Sequence, residues 1–292
     1  MGLFQSACLS RRIRLTGSVC DVILFEGCFF VMQKLLRKLK RSLLDSDPSF
    51  CDMHDDARAT RAAGEYLEII HRHLRAQFGD RLLSIVDAGC QAGRLLIPLT
   101  ADGHRLIGID TSEFALRRAR QHARERGLSV TVHRGTIAQI RRWVKPSSVE
   151  VVICAEVLYL CPDYRDILKQ LAASLVPGGL LIVSHRPPAF YVALAALGGD
   201  GIMARSILNR IEGPSSQGTY YNWQTVEQLQ ALYAELGLDL LECSPIDYDE
   251  RSLEAPVQLN GGSARLPEFL ELDAHRIRTP SYLLVIARKP ST

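Results

Sequence analysis

The stretch from Ser84 to Gly93 constrains this chain more than any other part of its sequence. It joins a short apolar run, typical of a buried strand, to a glycine-containing turn. Residues 94–97 then open a helix, and an acid, Asp110, ends the next apolar run. Glycines let a ligand approach the backbone of such a turn, and an acid about 20 residues further on can accept hydrogen bonds from ribose hydroxyls. The pattern therefore predicts a site for a nucleoside, without saying which one.

Apolar runs of strand length alternate with helical patterns along most of the chain. The predicted strands are 84–88, 104–109, 130–133, 149–154, 180–184, 238–243 and 282–287. The predicted helices are 55–78, 94–101, 112–126, 163–175, 189–197, 202–211, 225–236 and 266–277. Short apolar strands separated by helices indicate an α/β fold whose mostly parallel sheet is covered on both faces.

The N-terminal part of the sequence differs from the rest. We interpret residues 1–45 as an extension, because 1–31 lack a sustained period and 32–44 form a basic amphipathic helical pattern. Such a helix can lie on an anionic membrane or contact an acidic partner, and it can equally pack on the domain with a solvated basic rim. The sequence therefore leaves weak membrane-surface contact through residues 32–44 as an open possibility.

Composition narrows the classes of function. A formal net charge of +3 gives no reason to expect a nucleic-acid partner. The eight cysteines are scattered without a C-x-x-C pair, which is typical of a reduced, cytoplasmic protein. Histidines and cysteines lack the spacing of metal ligands, so we expect no metal. No apolar run approaches the ~20 residues that span a bilayer.

The ordered motifs resemble those of the class I S-adenosylmethionine-dependent methyltransferases. The resemblance covers about residues 55–290 and depends on Asp87–Gly93, Asp110–Ser112, Val149–Leu158 and Val176–Leu180. It implies a methyltransferase domain over residues 46–292, with a Rossmann-like sheet of seven strands, helices on both faces and a C-terminal antiparallel hairpin. The long connections 186–224 and 246–280 are expected to form helical cap insertions over the acceptor, because connections of such length are usually functional.

The resemblance also implies which residues bind S-adenosylmethionine. They are Asp87, Ala88, Gly89, Gly93, Asp110, Thr111, Thr136, Ile137 and Ala155. In the family pattern, Asp87 helps to hold the methionine amino group, and Asp110 takes the ribose hydroxyls. Two positions depart from the pattern. The middle glycine of the turn is Gln91, and the acid that often follows the third strand is Thr136.

Candidate catalytic residues follow the predicted fourth and fifth strands. His185 is the first candidate for a general base, because a neutral imidazole suits proton removal near neutral pH. Glu156 is the second candidate, and it suits positioning of the cofactor better than proton transfer. Tyr159 and Arg186 also lie at strand ends; Arg186 can pair with an anionic substrate or face solvent.

Aromatic residues in the first long connection allow two interpretations. Tyr220, Tyr221 and Trp223 can line an acceptor pocket or pack the connection onto the sheet. The sequence does not decide between them.

Several functions remain open at this point. We expect transfer of a methyl group to a small molecule, because Cys154–Val157 lack the signature of enzymes that methylate nucleic-acid amino groups. Among small-molecule acceptors we expect methylation on oxygen rather than on nitrogen or carbon. One alternative is an inactive methyltransferase-like binding module. The other is a nucleotide-dependent oxidoreductase, although its fingerprint needs a second glycine where Gln91 stands. The identity of the acceptor and the oligomeric state stay open.

Overall fold

A computed structural model describes residues 52–198, 201–214, 219–252, 267–272 and 276–291. They belong to one compact unit that spans residues 45–292. The extension 1–45 and its basic helix at 32–44 lie outside the described residues, so both stay predictions from sequence.

One mixed sheet forms the centre of the molecule. The strands are, in chain order, β1 (Ser84–Ala88), β2 (Arg105–Asp110), β3 (Thr131–Arg134), β4 (Val149–Cys154), β5 (Leu175–His185), β6 (Glu212–Pro214), β7 (Tyr220–Asn222), β8 (Asp239–Ser252), β9 (Glu271–Leu272) and β10 (Arg276–Arg288). Strands β6 and β7 pair with each other in a separate small sheet; the order in the central sheet is β3-β2-β1-β4-β5-β10-β8, and β9 pairs with β10. Strands β1 to β5 run parallel, whereas β10 is antiparallel to β5 and to β8. The predicted parallel sheet with a C-terminal antiparallel pair is confirmed.

Helices cover both faces of the sheet, as predicted. They are α1 (Ala57–Phe78), α2 (Leu96–Ala101), α3 (Glu113–Glu125), α4 (Tyr164–Ser174), α5 (Pro188–Leu197), α6 (Gly201–Leu208) and α7 (Val226–Glu235). Side chains of α1 and α2 are buried in one apolar cluster with the sheet, and side chains of α4 and α7 are buried in another. In the described ranges, no helix is both long enough and apolar enough to cross a membrane.

Helix α1 is attached to the sheet by polar contacts as well as by its apolar face. The Arg58 guanidinium pairs with Asp247 at 2.8 Å and donates to the Ser281 hydroxyl at 2.8 Å. The backbone N–H of Asp247 donates to the Glu65 carboxylate at 2.8 Å. These contacts join α1 to β8 and β10, which are far from it in sequence.

The second predicted cap insertion, 246–280, differs from the expectation. Residues 246–252 continue β8 and residues 276–280 begin β10, so 12 of the 35 residues of this insertion extend the hairpin. The predicted helix 266–277 is wrong, because Glu271–Leu272 form β9 and pair with Ile277 and Arg278. Ile277 and Thr279 are both buried, which follows the two-residue period of a strand.

The first predicted cap insertion, 186–224, is only partly helical. It contains α5 and α6, and also the antiparallel pair β6 and β7. Apolar side chains of α5 and α6 form a third cluster with Trp223, apart from the two clusters that cover the sheet.

Candidate active site

The predicted site residues follow the carboxyl ends of neighbouring parallel strands. Gly89 follows β1, Asp110 ends β2, Ala155 and Glu156 follow β4, and Arg186 follows β5. Ligands of open α/β sheets bind at this edge. The fold therefore brings together residues that are up to about a hundred positions apart in sequence.

The glycine turn is packed closely between β2 and the segment after β4. Gly89 has φ +96°, and its N–H donates to the Ile109 carbonyl at 2.7 Å. A Cβ atom on Gly89 would overlap the Val157 side chain. Gln91 adopts φ +48°, so the residue at the family's middle glycine still takes a left-handed conformation. Such conformations are costly for residues other than glycine and concentrate at functional sites.

Asp110 is held in a fixed orientation at the end of β2. One carboxylate oxygen accepts from the Gln91 N–H at 2.9 Å, and the other accepts from the Ser112 N–H at 2.8 Å. The carboxylate therefore links the glycine turn to the start of α3. A carboxylate fixed by backbone amides needs little further ordering to accept hydrogen bonds from a ligand.

Asp87 is a buried acid, with 3% of its surface exposed. Burial raises the pKa of Asp87 to about 7, and the negative charge of Asp110 contributes in the same direction. The Arg94 charge acts in the opposite direction but is outweighed. A cationic amino group beside Asp87 would favour its ionised form, because an opposite charge lowers the pKa of an acid.

Four other predicted cofactor residues lie along the same edge. Thr111 follows β2, Ala155 follows β4, and Thr136 and Ile137 follow β3. Ile137 is buried, whereas Thr136 is exposed at the start of a short 3₁₀ helix, Ile137–Arg142. Their contacts with a cofactor stay a prediction.

Glu156 belongs to a polar network that sequence reasoning did not find. Its carboxylate pairs with Arg94 at 2.5 Å and accepts from the Tyr282 hydroxyl at 3.2 Å. Its backbone has φ +61°, and its N–H donates to the Ser184 hydroxyl at 2.6 Å. Arg94 also donates to the Ala59 carbonyl at 3.1 Å. Both carboxylate oxygens of Glu156 are engaged, which fits positioning better than proton transfer.

His185 lies in the core rather than at the edge, which corrects its interpretation as a general base. Its side chain has no exposed surface. Its two ring nitrogens hydrogen-bond Gln224 at 3.2 Å and the Tyr233 hydroxyl at 3.0 Å. Burial lowers the pKa of His185 to about 4. A histidine with both nitrogens engaged inside the core has a structural role.

The buried His185 predicts a specific acid sensitivity. The unfolded chain takes up a proton at this residue near pH ~6.5, whereas the folded protein does so only near its lowered pKa of about 4. Stability from this group is therefore complete above pH ~6.5 and falls by ~1.4 kcal/mol per pH unit as the pH decreases. Between pH ~7 and pH ~5, His185→Gln should lose ~2 kcal/mol less free energy of unfolding than the wild type.

Urea unfolding at the two pH values measures this difference. His71→Gln is the matched control for loss of a histidine, because 40% of the His71 side chain is exposed whereas His185 is fully buried. If His185→Gln and the wild type lost equal stability, the structural assignment of His185 would be wrong.

The first cap insertion contains an open, mostly apolar pocket of about 220 Å³. Tyr191, Tyr221 and Trp223 are among its lining residues. The Trp223 indole also donates to the Ile207 carbonyl at 3.1 Å, which fixes the cap internally. Tyr221 and Trp223 therefore pack within the cap and line this pocket, and its use by the acceptor stays a prediction. Tyr220 instead donates from its hydroxyl to Glu212 at 2.7 Å.

The segment before α1 is attached to the glycine turn. The His54 ring bonds the Ala92 carbonyl at 3.0 Å, and Asp52 pairs with His122 at 2.9 Å and with Arg118 at 2.5 Å. One ligand atom from each of Asp52, His54 and His122 lies within 4.8 Å of the others. These residues are too far apart in sequence to suggest a metal site by spacing. In the structure, Arg118 already supplies a positive charge to Asp52.

Comparison with known proteins gives a consistent result. Residues 85–179 match a family model described as a methyltransferase domain. A ubiquinone biosynthesis O-methyltransferase from Cupriavidus pinatubonensis is 32% identical over 168 residues, which cover 58% of this chain and 65% of the relative. A protein of the same name from Rickettsia canadensis is 25% identical over 186 residues, which cover 63% of this chain and 74% of the relative. The match thus spans about two thirds of the first relative's length.

Solved structures share the fold. A putative methyltransferase from Bacillus halodurans superposes with a TM-score of 0.54 at 14% identity, over 78% of this chain and 98% of that one. The 1,6-didemethyltoxoflavin-N1-methyltransferase of Burkholderia thailandensis gives a TM-score of 0.52 at 18% identity, over 88% of this chain and 90% of that one. At these identities the likeness concerns the fold alone.

Proposed function

The chain belongs to the class I S-adenosylmethionine-dependent methyltransferase family, and from this we propose that it transfers a methyl group from S-adenosylmethionine to an oxygen atom of a small molecule. The observation that carries the proposal is the glycine turn between two acids, Asp87 and Asp110, at the carboxyl edge of the sheet. The names of the O-methyltransferase relatives support oxygen as the accepting atom.

The chemistry of the turn suits this cofactor. Asp87 has a buried carboxyl group, and the positively charged amino group of the cofactor's methionine part would favour its ionised form. Asp110 has a fixed carboxylate that can accept hydrogen bonds from the ribose hydroxyls. We assign the adenosine part to the neighbourhood of Thr111, Thr136 and Ile137. A dinucleotide would need a glycine at Gln91 to bring its pyrophosphate against the backbone, so the oxidoreductase alternative is disfavoured.

The protein contributes mainly positioning to such a reaction. S-adenosylmethionine would supply an electrophilic methyl group: the bond from its sulfur to the methyl carbon would break as the bond to the acceptor oxygen forms, leaving the neutral demethylated cofactor, and the hydroxyl proton would leave to water. The ion pair between Arg94 and Glu156 joins the glycine turn to the segment after β4, so that groups bound between them are held in one geometry. Since His185 is buried and engaged, we infer that the acceptor carries a hydroxyl acidic enough to ionise without a dedicated imidazole base.

Peripheral membrane contact through residues 32–44 is a separate proposal. It is supported by the basic amphipathic pattern of those residues. Sedimentation with anionic liposomes, before and after removal of residues 32–44, is the measurement that decides it; equal sedimentation would exclude the contact.

Two measurements test the proposed function. Calorimetry should detect binding of S-adenosylmethionine and of its demethylated product. Incubation with methyl-labelled cofactor and a panel of small phenols and alcohols should then give a labelled product with a new oxygen–methyl bond. Binding without labelling of any acceptor would favour the inactive module. Absence of cofactor binding would overturn the proposal.

A further inference from the structure

Arg186, the first residue after β5, holds its guanidinium group among three aromatic rings. Its Cζ atom lies 3.8 Å from the ring centre of Phe190, 4.0 Å from that of Tyr282 and 4.7 Å from that of Tyr159. It donates to the Ser281 carbonyl and to the Tyr282 hydroxyl, both at 2.9 Å. These contacts hold the charge in one place at the site edge.

This positive charge lacks a counter-ion. Among the residues that the structure describes, no carboxylate lies within ion-pair distance of Arg186, and Glu156 is already paired with Arg94 at 2.5 Å. The Nε–H donor of Arg186 is buried and has no hydrogen-bond partner. A half-buried cation and a buried unsatisfied donor both cost free energy, and an anionic ligand would remove both costs.

The start of α5 adds to the attraction for an anion. This helix of ten residues begins at Pro188, two residues after Arg186, and its first turn contains no acid. Its N-cap residue, Pro187, makes no side-chain capping bond. The positive end of a helix dipole favours negative charge. The helix start is thus a second feature, two residues from Arg186 in sequence, that favours an anion.

We propose that the methyl acceptor is a hydroxy acid whose carboxylate pairs with Arg186. A planar guanidinium can donate two parallel hydrogen bonds to one carboxylate, which the ammonium group of a lysine cannot do. Tyr282 contacts both Arg186 and Glu156, so the carboxylate would bind next to the network that reaches the glycine turn. This inference rests on the proposed function and names the substrate class of that site.

The test compares carboxylates with neutral partners of the same shape. The probes are the three hydroxybenzoate isomers and the three corresponding hydroxybenzamides, titrated by calorimetry into the full chain with the demethylated cofactor present. At least one hydroxybenzoate should bind ~10-fold or more tightly than its amide. Arg186→Gln should weaken its binding ~100-fold and remove the preference over the amide. Arg186→Lys keeps the positive charge but cannot donate two parallel hydrogen bonds to a carboxylate, so we expect hydroxybenzoate affinity to fall ~10-fold.

Arg278→Gln is the matched control. The Arg278 guanidinium also lies over a tyrosine ring, 4.2 Å from the centre of Tyr248, but it is paired with Glu271 at 2.8 Å. Its replacement should leave hydroxybenzoate affinity unchanged. If Arg186→Gln does not fold, judged by circular dichroism, the lysine variant supplies the answer.

The proposal is overturned if each carboxylate and its amide bind equally, or if none of them binds the wild type. Unchanged hydroxybenzoate affinity in the folded Arg186 variants would overturn it too. The proposed function fails in a different way, by absence of cofactor binding or of methyl transfer to any acceptor. The carboxylate titrations and the cofactor titrations are separate readouts, so the two failures are distinguishable.

Discussion

Asp110→Ala should lower the affinity for S-adenosylmethionine by ~100-fold or more. On the proposed assignment of Asp110 to the ribose, the substitution would remove two charge-assisted hydrogen bonds, each worth ~1.5–3 kcal/mol, and ~1.4 kcal/mol corresponds to a factor of ten. It also leaves the Gln91 and Ser112 amides without their acceptor, so the glycine turn loses its fixed position. Calorimetry with the demethylated cofactor measures the loss.

Asp102→Ala serves as the control for this experiment. Asp102 is an exposed acid directly after α2 and pairs with His71 at 2.8 Å, away from the glycine turn. Its removal should leave cofactor affinity unchanged. Asp110→Ala protein that is folded and binds the cofactor like the wild type would disprove the ribose assignment.

Gly89→Ala should cost ~3 kcal/mol of unfolding free energy and abolish measurable cofactor binding. A left-handed conformation costs a residue with a Cβ atom ~1–2 kcal/mol, and overpacking of a close contact adds ~1–3 kcal/mol. The contact here is with Val157, a β-branched residue with little rotational freedom. Displacement of Val157 would shift the turn away from the segment after β4.

Gly127→Ala separates the two causes. Gly127 also has a positive φ, +69°, but a Cβ atom there would meet no atom within 4 Å. Its substitution should therefore cost only the conformational part, ~1–2 kcal/mol, and leave cofactor binding intact. Urea unfolding and calorimetry on both variants give the comparison. Equal losses of stability would show that close packing at Gly89 is unimportant.

Local patterns explain why much of the fold could be predicted from the sequence. The run that contains Ile85 and Val86 is short, apolar and followed by a glycine turn, and such runs become buried parallel strands because both faces are covered. The capping box at Thr225 and Gln228 likewise marked the start of α7. Signals of this kind lie within a few residues of the element that they specify.

Features that depend on pairing across the sheet could not be predicted in the same way. Within the helix expected at 266–277, residues 271–272 and 276–277 are strand, because Leu272 pairs with Ile277. Their spacing in the sequence fitted a helix and gave no sign of this pairing. The side-chain direction of His185 was equally hidden, since its partners Gln224 and Tyr233 come from later segments. A strand-end position in sequence does not tell whether a side chain faces the ligand edge or the core.

The polar network of the site illustrates the same limit. Arg94, Glu156 and Tyr282 come from three distant parts of the chain, and only the completed sheet makes them neighbours. Their sequence signal was weak, because each is a single polar residue beside an apolar run. Arg186 was visible as a candidate, but only the structure shows its aromatic surroundings and its buried Nε–H, which has no hydrogen-bond partner among the described residues.

Helix α1 and the segment before it contact the glycine turn directly, so they belong to the part of the chain that forms the site. The family model begins at residue 85, yet Arg94 donates to the Ala59 carbonyl and the Ala92 carbonyl is bonded by His54. A polypeptide shortened to the start of that match would keep the strands of the sheet but lose direct partners of the glycine turn. The smallest portion of this chain that retains the intact site is therefore considerably longer than the portion by which its relatives are recognised.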